Sequence, residues 1–167
     1  FLDKHYLIKI SVLKNANQEC NLRLSNAESQ LVRHALNGTK SLTQAYLKRN
    51  PDQNETYELI ISIHEELLAS LILFITDSDG SDIGERTLFC NRILKFYYDQ
   101  FLPQMSEKPL LNGEDIIHQF QLSPSPIFGR ILNDIQKAQV LGKITTPKDA
   151  VTLAGNIIQS QTKESNG

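Results

Sequence analysis

The chain is expected to be all-α, an irregular bundle of about seven to eight helices, and three observations point there. Apolar residues recur at spacings of three and four through most of the sequence, and no stretch alternates with period two. Capping residues also stand just before the periodic segments, with Gly, Asn or Pro just after them.

Ser25-Asn26-Ala27-Glu28 reads as a capping box, and Leu31, Val32, Ala35 and Leu36 follow at helical spacing. This predicts a helix over Asn26 to Leu36, stopped by Asn37-Gly38. From Asn54 a long central helix is expected, with Tyr57, Ile60, Ile61, Leu67, Leu68, Leu71 and Phe74 on a broad apolar stripe and Glu58, Glu65 and Glu66 mostly opposite. The polar run from Asp77 to Asp82 breaks it. A further helix from Glu85 to Phe101 turns Phe89, Ile93, Tyr97 and Phe101 inward and ends before Pro103. Asn112, with Asp115 three residues on, caps a short helix; Pro126 opens another; Thr146-Pro147-Lys148-Asp149 caps a last one to about Ser160. Gln161 to Gly167 contains no apolar residue and is expected to be disordered. The expected division is a helical body over 1–106, a compact C-terminal portion over 107–160, and the tail 161–167.

A chain of 167 residues with 40% hydrophobic content can bury one substantial core. The ten uncharged residues from Leu67 to Thr76 fall short of the roughly 18 a membrane span needs, so no membrane partner is expected. Cys20 and Cys90 are far apart and lack metal-ligand spacing, which favours free thiols, a disulfide or reactive thiol being the alternative, and a reducing cytoplasm. The chain begins at Phe1 and its one methionine is Met105, with no signal-peptide pattern, so it reads as a piece of something longer.

Net charge is only −2, but it is unevenly spread. Residues 1–50 hold eight Lys/Arg against three acids, and residues 51–108 hold eleven acids against four bases. Such asymmetry fits one polyanion-facing surface, although an ordinary solvated surface with uneven charge reads the same way.

Several local patterns resemble chemistry without completing it. Asp77, Asp79 and Asp82 imitate the start of a calcium loop, but Asp82 and Leu88 stand where the loop needs glycine and glutamate. The same acids lack the strand and Gly-rich loop that a nucleotidyltransferase carboxylate pair requires. A solvated turn is expected. His64 lies on the apolar stripe and is expected in the core or at its boundary; no histidine pair has helical metal spacing. Arg92, Lys95, Phe96, Tyr97 and Tyr98 interleave bases with aromatics as a stacking surface would, and equally as helical core with basic flanks. No catalytic set and no metal site is assembled.

The stretch from Leu111 to Gln136 is more specific. Pro124 and Pro126 mark a helix start, because proline at the first helical position sacrifices no hydrogen bond. The N–H groups of Ser125, Ile127, Phe128 and Gly129 then lie at the positive end of a helix dipole, and glycine leaves room for another backbone. That is the geometry of a phosphate seat. Arg130 follows directly, placed either to reinforce the seat or to pair with Asp134 one turn on; Lys137 lies two turns along the same face.

This region resembles the C-terminal body and tail of the class II tRNA nucleotidyltransferase and poly(A) polymerase family. The matching residues are Asn112, Gly113, Asp115, Leu122, Pro124, Pro126, Gly129, Leu132, Ala138, Gly142, Ile144 and Ala150, with Leu22 to Glu28 similar to the segment after the family's neck. Ser125 departs from the usual glycine of Pro-Gly-Pro, and Phe128 stands where isoleucine is common. The Gly-rich nucleotide loop, metal-binding aspartates and base-selecting motif of the family's catalytic head have no counterpart. The resemblance implies a noncatalytic portion that holds the acceptor and T arms of tRNA by the sugar-phosphate backbone, by shape rather than base identity. It implies an N-terminal head as partner, with Mg and CTP or ATP serving that head. Candidate RNA-binding residues are Ser125, Gly129, Arg130, Lys137, Lys143 and Arg23. The alternative is a helical protein–protein interaction or oligomerisation module.

Overall fold

In the computed structural model, residues 24–49, 51–78, 80–121 and 126–164 are described. They are predominantly helical, with no strand among them. Six continuous helices account for the described residues, fewer than the seven to eight expected. Helix α1 is Asn26–Leu47. Helix α2 is Gln53–Thr76, with a 3₁₀ turn at His64–Glu66. Helix α3 joins Ile83–Phe96, a π turn at Tyr97–Phe101, and Leu102–Ser106. Helices α4, α5 and α6 are Gly113–Phe120, Pro126–Val140 and Pro147–Glu164.

Two punctuation signals behave differently from expectation, and each leaves a longer helix than expected. Asn37-Gly38 does not stop α1, which runs on to Leu47. Gly38 is there for packing: a Cβ built on it would lie 2.2 Å from Ser70 Oγ and 2.9 Å from Ile63 Cγ2. With no side chain at 38, α1 and α2 meet backbone to side chain. Ser70 Oγ donates to Ala35 O at 3.2 Å and Glu66 O at 2.8 Å, while Thr39 Oγ1 donates to Ala35 O at 2.9 Å and Ser70 O at 3.3 Å. Pro103 likewise does not end α3 at Phe101. The π turn before it lets Leu102 N–H reach Tyr97 O, five residues back, so the wider turn accommodates a ring that would crowd the carbonyl four residues earlier.

The 3₁₀ turn in α2 also shifts the phase of its apolar stripe. Leu67, Leu71 and Phe74 are buried as expected, whereas Ile61 and Leu68 are exposed. His64, expected in the core or at its boundary, has a side chain 74% exposed and a positive φ of 57°. The positive-φ backbone at His64 ends one helical segment and rotates the face that follows, which turns Leu68 outward, whereas Ile61 precedes the turn and lies on the exposed side of the first segment.

Cα packing divides the chain between Lys95 and Phe96, within α3. In the first unit, Val32 and Ala35 of α1 pack on Ala69 and Leu73 of α2. Tyr46, Phe74 and Phe89 form a cluster with centroids 5.4 to 5.7 Å apart. Arg86 closes the end of α2: it donates to Phe74 O at 2.9 Å and to Asp82 at 2.8 Å, and it lies 4.8 Å from the Phe74 ring centroid. A carbonyl without an intrahelical partner thus gains a charged donor. Cys90 is a buried free thiol, and burial pushes its pKa up to about 11; Cys20 lies outside the described residues. By length and composition α2 is apolar enough to cross a membrane, yet half of its most apolar window is buried inside the protein, as in a core helix.

In the second unit, Leu111, Ile116, Ile131, Ile135, Ala138, Ile144, Ala150 and Ala154 form the core. Capping boxes at Asn112/Asp115 and Thr146/Asp149 start α4 and α6. Helix α6 continues through Glu164, four residues beyond the expected end.

Candidate nucleic-acid interface

Helix α5 carries the candidate site, and its two ends are built differently. At the N-terminus Pro126 is the first helical residue, as the sequence implied. In a helix starting there, the N–H groups of Ile127 and Phe128 have no carbonyl four residues back to bond. Phe128 and Ile127 are half-buried against the core of the second unit, so Phe128 performs the packing that isoleucine would. Ser125 and the rest of the turn at 122–125 lie outside the described residues, as does Arg23.

Gly129 and Arg130 are both exposed one turn in. A Cβ on Gly129 would meet nothing within 4 Å, so no packing among the described residues requires glycine there. Among the described residues no ion pair joins Arg130 to Asp134, which leaves the guanidinium facing outward rather than held by the i, i+4 pair the spacing allowed. Lys137 lies seven residues on, roughly 10.5 Å along the axis at 1.5 Å per residue, on the same face and half-buried.

At the C-terminus, Gly142 has φ of 66° and donates to Gln139 O at 3.0 Å, while Lys143 N–H donates to Ala138 O at 2.8 Å. These two bonds form a Schellman motif, which needs a left-handed residue and explains glycine at 142. The motif projects exposed Lys143 at the helix end and buries Ile144 behind it. Gly129, Arg130, Lys137 and Lys143 therefore belong to one helix and its cap, while Ser125 and Arg23 are not placed. Along α5 and its cap these described residues supply two lysines and an arginine, with Asp134 the one acid between Arg130 and Lys137. Among the described residues no group of three His, Cys, Asp or Glu is gathered as a metal site would require. The Asp77–Asp82 turn is held internally, with Asp82 accepting from Ser78 and Arg86.

The interleaved bases and aromatics of α3 divide between packing and surface: Phe96 is buried, Tyr97 stacks on Phe101 at 5.6 Å, and Tyr98 is 53% exposed. Sequence reasoning missed an open groove of about 740 Å³ in the first unit, where Leu47 and Arg49 from the end of α1 face Leu88 and Arg92 of α3. Only a highly exposed leucine pair would have signalled it, and exposure is not legible in periodicity.

The described residues form an all-helical fold in which α5 and its C-terminal cap carry Arg130, Lys137 and Lys143. The family model described as tRNA nucleotidyltransferase domain 2 (putative) matches residues 6–154, and the chain belongs to that family. A CC-adding tRNA nucleotidyltransferase from Synechocystis sp. is 23% identical over 160 residues, covering 90% of this chain. The chain spans 38% of that relative's length. No solved structure matches.

Proposed function

We propose that this chain is the noncatalytic, tRNA-holding body and tail of a tRNA nucleotidyltransferase, gripping the acceptor and T arms through the sugar-phosphate backbone. The observation that carries the reading is the start of α5, where exposed Gly129 and Arg130 adjoin N–H groups that the helix cannot satisfy. A phosphate there would gain main-chain donors, the helix dipole and a guanidinium together. Lys137 and Lys143 extend the positive surface along the strand, with Ser125 and Arg23 as further candidates. Nucleotide addition belongs to an N-terminal head, which would use Mg and CTP or ATP; the family membership and the 38% span of the relative support that division. The proposed setting is the cytoplasm.

Binding of labelled tRNA at low salt tests this. Arg130→Ala is expected to weaken binding about equally for different tRNA sequences and to lower the salt-dependence slope by about one. Gly129→Ala separates binding from folding, because alanine in a helix interior with free space around it adds about 0.5–1 kcal/mol of stability while crowding an approaching backbone. A more stable protein with weaker tRNA binding is the expected result. If both variants bind as the parent does, the turn is structural punctuation and the helical interaction module becomes the better reading.

A further inference from the structure

The groove in the first unit has a composition that neither packing nor the α5 surface explains. Leu47 and Leu88 are the most exposed large hydrophobic residues described, at 73% and 66%, and both line it. Arg49 and Arg92 line it too, and Lys95 is exposed one helical turn beyond Arg92 on α3. The one acid among the described lining residues, Glu85, accepts from Tyr46 Oη at 3.2 Å. Arg49 is held at φ of 68°, a conformation a non-glycine residue adopts at a cost, and its N–H donates to Tyr46 O at 3.0 Å. Apolar walls with guanidinium groups beside them suit a ligand that alternates flat, weakly polar faces with regularly spaced negative charge. Single-stranded nucleic acid is such a ligand: phosphates go to the cations, and the bases and sugars lie against aliphatic surface. A duplex hides its base faces and would leave the leucines wet.

We propose that this groove is a second RNA contact, taking an unpaired stretch of the RNA with its phosphates between Arg49 and Arg92 and its bases against Leu47 and Leu88. The proposal rests on the RNA-holding reading above but concerns a different surface. The chain contains no tryptophan, so Leu88→Trp installs a single reporter at an exposed position. A twelve-nucleotide oligouridylate is expected to quench its fluorescence. Independently, the Arg49→Ala, Arg92→Ala double variant, checked for helicity by circular dichroism, is expected to lower the salt-dependence slope for that oligonucleotide by about 1.4, two contacts at about 0.7 each for a single strand. If the oligonucleotide and tRNA bind, as read by anisotropy, with no quenching and an unchanged slope, the groove assignment falls and the RNA-holding reading stands. If neither binds, both fall. Quenching by polyglutamate as strong as by oligouridylate would give the groove to an acidic protein and overturn the proposal.

Discussion

Single atoms decide several of the protein's properties. At Gly38 one added methyl group would fall 2.2 Å from Ser70 Oγ, so the helices must separate or the serine must give up hydrogen bonds to Ala35 O and Glu66 O. Gly38→Ala is expected to cost about 1–3 kcal/mol by overpacking, read as a lower denaturation midpoint with an unchanged slope. Asp82 carries a pH signature of the opposite kind. The Ser78 hydroxyl and then the Arg86 guanidinium hold its carboxyl below the usual range. Its contribution is therefore fully present above the unfolded-state value of about 3.9 and is lost as pH falls through the lower folded value. Asp149, held down first by the Thr146 hydroxyl, acts in the same direction. The stability gap between the parent and Asp82→Asn should narrow from pH 5 to pH 3; a gap independent of pH would show that the carboxylate's charge is irrelevant. Residue identity alone revealed little of this. The closeness of Gly38 to Ser70 is a tertiary fact, and a glycine after an asparagine reads locally as a stop.

Helix starts were more legible than helix stops, for a physical reason. An N-cap is satisfied within three residues of chain, so Ser25/Glu28, Asn112/Asp115 and Thr146/Asp149 can be read directly; α2 starts at an Asp52/Glu55 box, two residues ahead of the expected Asn54. Stops and phase depend on what a helix packs against. Gly38 and Pro103 both look like terminators, yet one serves a close crossing and the other is absorbed by a π turn. The turn at His64–Glu66 has no sequence marker, and it leaves His64 and Leu68 outside the expected core. Because the first capping box is exposed and local, Ser25→Ala is expected to lower stability by about 0.5–2 kcal/mol while leaving tRNA affinity of the folded protein unchanged. Thermal denaturation beside a binding titration checks it, and weakened binding at constant stability would move Ser25 into the interface.

At the scale of the whole molecule, the proposed body-and-tail reading leads to one measurable expectation. Supplied with magnesium, CTP and ATP, the isolated chain should add no nucleotide to tRNA lacking its 3′ end; reproducible incorporation by a pure sample would overturn its noncatalytic assignment. The family was readable because its signature is made of caps, turns and small residues whose spacing survives in one sequence: Asn112 caps a helix and Gly142 takes the left-handed turn that ends one. The cationic surface was readable only in part. Arg130 and Lys137 share a face by simple periodicity, whereas Arg49 and Arg92 come together only through the meeting of α1 with α3.

The crossing at Gly38 also has an evolutionary consequence. Ser70 Cβ, and not only its hydroxyl, lies 2.9 Å from the place where a Cβ at 38 would be, so the two positions share one small allowance of volume. Neither can grow unless the other shrinks. Across relatives that keep this helix pair, the residues aligned with 38 and 70 should vary together, with alanine at the first accompanied by glycine at the second and the summed volume nearly constant. A lineage drifting through Gly38→Ala before Ser70→Gly would cross a less stable intermediate, making the order of the two changes matter as much as their identity.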